Sequence, residues 1–207
     1  MLMDISKTLT PSLATYPGDP RYVFEHVKHV VKDGVTVSRI DCGLHTGTHL
    51  DTPAHFVSGG KEIQDFPVSA FTGRAHVVDC TSVDRFVEVS QLKTQDSKLK
   101  AGDFVLLKTK NSWQDPAKFN EAFISLSPEA AAWLVKQGVK AMGTDGPSID
   151  RFHSGTHPTH LALMKHDVLI YENLVLKDVA PGTYTFYGFP LKIEHGEASP
   201  VRAVLQV

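Results

Sequence analysis

Long apolar runs are missing from this chain. No stretch approaches the roughly 18 uninterrupted apolar residues of a membrane-spanning helix, so none is expected. The opening Met1-Leu2-Met3-Asp4-Ile5-Ser6-Lys7 has no basic segment followed by an apolar stretch, so no signal peptide is expected. Cysteine is scarce. Cys42 and Cys80 lie far apart in strand-like segments, and the expectation is two reduced thiols packed as small core residues. A cytoplasmic location follows by elimination. Charge of one sign is not in excess either. Lys and Arg total 21 against 23 Asp and Glu, which gives no electrostatic reason for nucleic acid or an anionic membrane as partner. Low-complexity segments and Pro/Gly/Ser-rich linkers are absent, and 207 residues suffice for one well-cored domain. A single domain over 1–207 is therefore expected.

Short strand signals are plentiful. Val35–Ile40 is β-branched and partly alternating, and it leads into a histidine-rich loop. Ala75–Cys80, Phe104–Thr109, Val139–Gly143 and Val168–Tyr171 read as buried strands, and Thr183–Phe189 and Val201–Val207 close the chain. Pro17–Pro20 and Ala180–Gly182 are turns. Helices are fewer. The clearest has Ser127 as N-cap, Pro128 at the first helical position, Glu129 in the first turn and Gly138 as its stop. A second is expected over Thr159–Lys165, with Leu161 and Met164 turned inward. Strands separated by occasional helices argue α/β or α+β with a mixed sheet.

Histidine is what the chain has in concentrated form. Seven of its eleven histidines fall in two windows, 45–55 and 153–166, where an even scatter would place about 1.3. Neutral imidazole is the commonest metal ligand, although a His-rich loop can also be solvated surface. In the first window His45, His49 and Asp51 offer two nitrogens and a carboxylate. Gly47, Pro53 and three threonines argue against a helix there. In an extended segment, offsets of four and six start the three side chains on one face. His55 arrives two residues after Pro53, as a further ligand or as a proton carrier. In the second window His160 is followed twelve residues later by Glu172, a carboxylate emerging from an apolar strand beside Asn173. His153-Ser154-Gly155-Thr156-His157 repeats the His-x-Gly-Thr-His spelling of His45–His49 without its Asp-x-Pro continuation, and reads as chance similarity.

Other metal and nucleophile signatures are excluded. The chain has no His-Glu-x-x-His, no Cys-x-x-Cys and no Gly-x-Ser-x-Gly elbow. His166-Asp167 occurs in helical phosphohydrolases, but those are all-α and this chain is rich in strands. Thr144–Asp150, with Ser148, reads as a structural turn after a strand, one that could line the site.

The run His45–His55 resembles the His-x-Gly-x-His-x-Asp-x-Pro-x-His signature of the metal-dependent cyclase family, which includes bacterial kynurenine formamidases and isatin hydrolases. The likeness extends along nearly the whole chain, through Asp4-Ile5-Ser6, Tyr16-Pro17-Gly18-Asp19, Gly143–Ser148, the His160–Glu172 spacing and Ser199–Val204. It implies a swivelling β/β/α-type α/β fold with a mixed, barrel-like sheet and few helices. It implies metal ligation by His45, His49, Asp51, His160 and Glu172, with the two carboxylates bridging two ions. It implies His55 as acid/base, Tyr16 as a substrate contact and a homodimer. Two Zn²⁺ per subunit are implied, with Mn²⁺ acceptable to the same donors.

The reaction so implied is hydrolysis of an amide or formamide C–N bond in a small molecule by a metal-activated water. Formamidases typically carry Trp where Tyr16 stands, which leaves the substrate open. An isatin-type cyclic-amide hydrolase is the alternative enzyme. The non-enzyme alternative is a binding module that closes its coordination sphere around one structural ion.

Overall fold

The apolar strand segments sort their side chains to two sides. Within Phe104–Lys108, Phe104 and Leu106 join one buried cluster while Val105 and Leu107 join another. The same period of two divides Leu169 and Tyr171 from Ile170, and Ala75 and Val77 from Val78. Strands buried on both faces need cover above and below, which is the arrangement of an α/β sheet.

The computed structural model describes residues 1–93 and 99–207. Its strands begin with β1 (Leu2–Asp4), β2 (Val23–Lys28), β3 (Val37–Asp41), β4 (His49–Asp51), β5 (Thr72–Asp79) and β6 (Phe86–Val87). They continue with β7 (Phe104–Lys108), β8 (Ser125–Leu126), β9 (Ala141–Thr144) and β10 (Leu169–Glu172). The last three are β11 (Gly182–Tyr187), β12 (Ala198–Pro200) and β13 (Val204–Gln206). Among the described residues there are four α-helices, α1 (Val30–Asp33), α2 (Val89–Leu92), α3 (Pro128–Lys136) and α4 (Pro158–Met164). One nine-stranded sheet, ordered β1-β13-β11-β5-β7-β9-β10-β4-β12, organises the molecule. Its centre, β5-β7-β9-β10, is parallel and both flanks are antiparallel. The expected α/β class, with a mixed barrel-like sheet and few helices, is what the chain adopts.

α3 has the ends its sequence predicts. The Ser127 side chain accepts from the Ala130 amide, and Gly138 adopts φ +73° beyond the last turn. Its Ala130, Ala131 and Leu134 are buried in the cluster that also holds Leu163 and Met164 of α4. In α4 the inward pair is Leu163 with Met164, not Leu161 with Met164, and Leu161 is only partly buried. The helix begins one residue earlier than expected, with Pro158 at its first position.

The Val35–Ile40 segment also differs from expectation. Its strand, β3, pairs with β2 in a separate two-stranded arm on which every strand residue is exposed. Alternation identifies a strand but not the surface that will cover it, so the sequence could not tell an arm from a sheet member.

Candidate metal centre

Strand register assembles the heart of the site. β4 lies antiparallel against β10 so that His49 stands opposite Glu172 and Leu50 opposite Tyr171. Leu50 and Tyr171 are fully buried in the apolar cluster. The alternation therefore turns His49, Asp51 and Glu172 to the other face. His45 reaches them by a different route. It sits in a turn closed by the Thr46 amide on the Gly43 carbonyl, and Gly47 follows at φ +66°. A Cβ on Gly47 would come within 2.5 Å of Leu9 Cδ2, so a side chain there would be strained by the backbone conformation and would have to displace the end of Leu9. The single extended face expected for all three holds only for His49 and Asp51. His55 ends the short 3-10 turn Pro53–His55, and His160 enters from the first turn of α4.

The donor atoms converge. His45 Nδ1 lies 2.8 Å from Asp51 Oδ1, and His49 Nε2 lies 3.3 Å from that same oxygen and 3.5 Å from Glu172 Oε2. His160 Nε2 is 3.3 Å from Glu172 Oε1 and 3.9 Å from Asp51 Oδ2. Each carboxylate thus turns one oxygen towards the His49 side and the other towards His160. His49 Nε2, both Asp51 oxygens and His160 Nε2 are nevertheless buried without an aligned hydrogen-bond partner. Leaving such groups unsatisfied costs roughly 1–3 kcal/mol each, more for charged ones. Donors about 2.0–2.2 Å from a tetrahedral ion would be about 3.3–3.6 Å from one another. Three of the separations, 3.3, 3.5 and 3.3 Å, lie in that range, and with the unsatisfied atoms and the His/carboxylate donor set they fit a divalent cation.

The outer nitrogens are fixed as well. His49 Nδ1 donates to the Gly47 carbonyl at 2.9 Å and His160 Nδ1 to Asp150 Oδ2 at 2.7 Å. Those acceptors hold a proton on Nδ1 and make Nε2, facing inward, the nitrogen that would meet an ion once its own proton is displaced. Burial alone would lower His49, but the Asp51 and Glu172 carboxylates overrule it and raise its pKa to about 10. Burial works against His160 in the same way, and Asp150 and Glu172 raise it to about 9. The Asp51 carboxyl is held well below the usual range by the histidines, despite its burial. His55 is the exception. Burial dominates and pushes it down to about 4. Its ring packs 4.1 Å from that of His45, and its side chain makes no hydrogen bond among the described residues.

All six clustered residues expected from sequence, His45, His49, Asp51, His55, His160 and Glu172, are therefore brought together. Most of them border a cavity of about 210 Å³. Tyr16 lines it too, edge-on to Phe119 and Phe152 at 5.3 and 5.7 Å. Of the remaining histidines, His157 lines the cavity with its ring 4.4 Å from Phe56, His153 packs on Phe152, and His166 is exposed. Lys7 and Phe56 escaped the sequence reading, and Asp150 entered it only as the end of the Thr144–Asp150 turn, without its role on His160. Asp150 had a signal only in hindsight of the fold, since nothing in a Ser-Ile-Asp run marks a partner ten residues on.

Fold and site together define an enzyme of the metal-dependent hydrolase class. Residues 3–151 match the Cyclase family model, described as "Putative cyclase", and the chain belongs to that family. It is 35% identical to a kynurenine formamidase of Erythrobacter litoralis, over 99% of this chain and 93% of that one. A solved structure described as a "predicted metal-dependent hydrolase from Bacillus stearothermophilus" is 33% identical, with TM-score 0.86 over 99% of this chain and 97% of the other. Isatin hydrolase A of Labrenzia aggregata superimposes with TM-score 0.90 at 23% identity, covering 99% and 93%, and shares the fold.

Proposed function

We propose that this protein hydrolyses the C–N bond of a small aryl formamide or related amide, as its kynurenine formamidase relatives are named for doing. The observation that carries this reading is the convergence of Asp51 and Glu172 between two sets of histidine nitrogens, each carboxylate with one oxygen to either side. That arrangement supports two ions, one near His45 and His49 and one near His160. Zn²⁺ suits the donors, and Mn²⁺ is accepted by the same set. A bound divalent ion supplies Lewis acidity and brings the pKa of water at the site from about 15.7 towards 7.

The side chains do the rest. Asp51, Glu172, His45, His49 and His160 hold and orient the centre. His55 is neutral at physiological pH because burial depresses its pKa, so its ring is in the form that accepts a proton. It takes that proton from the attacking water and returns it to the leaving amine nitrogen. Tyr16 and Phe119, which line the cavity, offer aromatic rings to an aromatic substrate, and Phe152 packs against both.

A homodimer in the cytoplasm belongs to the same reading. The β2–β3 arm with its α1 tip exposes Val23, Phe24, Val27, Val30, Val31, Val35, Val37 and Ile40, which suits a second copy of the chain as cover. No helix of the described residues is long and apolar enough to cross a membrane.

The test is metal analysis of the purified protein, then turnover of N-formylkynurenine, isatin and cyclic imides with added zinc or manganese. Bound divalent ion, loss of turnover on chelation and preference for the formamide are expected. Metal-free protein indifferent to chelators would sink the proposal.

A further inference from the structure

Lys7 stands in the wall of the active cavity with most of its hydrogen-bonding capacity uncommitted. Its ammonium has three donors. One goes to Asn173 Oδ1 at 2.6 Å, and no carboxylate lies within ion-pair distance among the described residues. Asp145 exerts a pull on it from beyond contact range. That carboxylate is already engaged by four donors, the amide and hydroxyl of Thr109 at 2.8 and 2.6 Å and those of Ser112 at 3.2 and 2.7 Å. Lys7 is therefore a cation with two free donors, in a cavity it shares with His49, His160 and Glu172.

The position is built. The Lys7 amide donates to Thr48 Oγ1 at 2.8 Å, and that hydroxyl donates to the Asn173 carbonyl at 2.6 Å. Two residues earlier, buried Ile5 is held by its amide on the Ala203 carbonyl and its own carbonyl under the Val175 amide. Asn173 follows Glu172 directly and adopts φ +58°, in the left-handed region that asparagine enters more readily than other non-glycine residues. Because an ammonium can only donate, its contact fixes which end of the Asn173 amide is oxygen. The Asn173 Nδ2 then presents two further donors, and Asn173 also lines the cavity. Burial pushes the Lys7 ammonium down to about 8, which leaves it charged at neutral pH.

The geometry points to a second recognition point in this cavity: Lys7 Nζ, with the Asn173 amide, receives a carboxylate that the substrate carries apart from its scissile bond. The enzyme then selects anionic amides over neutral ones of the same shape. For catalysis this deepens the amide-hydrolase reading and rests on it, whereas the binding of an anion at Lys7 does not.

Two measurements separate the two. Steady-state kinetics on formanilide and on 2-, 3- and 4-formamidobenzoate gives the preference for the anion. At least one isomer is expected to exceed formanilide in kcat/KM by roughly 10- to 100-fold, the value of a charge-assisted hydrogen bond. Lys7→Gln should bring that ratio close to one. The assignment is overturned if no isomer is preferred, if the preference survives in K7Q, or if K7Q depresses formanilide and the benzoates alike.

Calorimetric titration of benzoate and benzamide into chelated protein reads the anion point without turnover and without carboxylate–metal contacts. Tighter binding of benzoate, weakened about tenfold or more in K7Q, upholds it. Equal affinities in both proteins, or no binding, overturn it. Should the parent enzyme cleave none of the four amides, the calorimetry alone decides Lys7, and turnover of N-formylkynurenine, isatin or a cyclic imide decides the hydrolase reading separately.

Discussion

His55 differs from its neighbours in what surrounds its ring. His49 faces two carboxylates and His160 three, which keep their pKa values high in the absence of an ion, whereas His55 meets burial first and is lowered to about 4. A histidine with no committed hydrogen bond can move a proton without giving up a structural contact. His55→Ala should therefore retain bound metal and lose roughly 10²- to 10⁴-fold in kcat, the usual contribution of general acid–base catalysis. Metal content by elemental analysis beside turnover checks this, and normal turnover would remove His55 from the mechanism. At this scale the sequence was informative because the residues are chemically conspicuous. His45, His49, Asp51 and His55 share one short loop, and His160 with Glu172 share one spacing. Lys7 was invisible for the opposite reason. A lone lysine near the N-terminus reads as solvated surface, and only the fold shows that Asp145, the carboxylate that attracts it, is already engaged by Thr109 and Ser112.

Between residues and molecule, the elements set the angles. α4 is seven residues long, and its first turn is held from outside by Asp150. Asp150 Oδ1 accepts from the Thr159 amide at 2.9 Å, and its Oδ2 accepts from the His160 amide at 3.1 Å and from His160 Nδ1 at 2.7 Å. One carboxylate thus caps the helix and fixes the tautomer of a residue on it. Asp150→Asn should weaken zinc binding by about 10- to 100-fold while the fold survives. Competition against a chelator of known affinity measures the first effect and thermal denaturation the second. Unchanged affinity would reduce Asp150 to a helix cap. The sequence showed α3 in full, because Ser127, Pro128 and Gly138 are local signals for local structure. It misjudged the inward face of α4, where the demand that His160 point at Glu172 sets the rotation and brings Leu163 inward. It also expected His45, His49 and Asp51 on one face of an extended loop, whereas a turn at Gly47 delivers His45.

For the molecule as a whole, the site links pH to stability. In chelated protein His49 and His160 have pKa values of about 10 and 9 against 6.5 when unfolded. Groups raised in this way contribute stability that is fully present below pH 6.5 and is lost as pH rises through 9–10. The Tm of chelated protein should therefore fall between pH 6.5 and 10. Bound zinc should oppose the fall, since ions displace those protons as pH rises. A Tm flat or rising over that interval would contradict the assignment. The nine-stranded architecture was legible in outline, as strand segments and a mixed sheet. Strand order was not, because pairings such as β4 with β10 join residues more than a hundred positions apart. The β2–β3 arm carries a different consequence. A lone two-stranded hairpin is marginal in water, and this one has none of its strand residues buried. If a second chain provides the cover, mass action governs the arm's order. Dilution would loosen the segment between Arg21 and Gly43 before it touched the sheet, and protease cutting there would measure how concentrated the protein is.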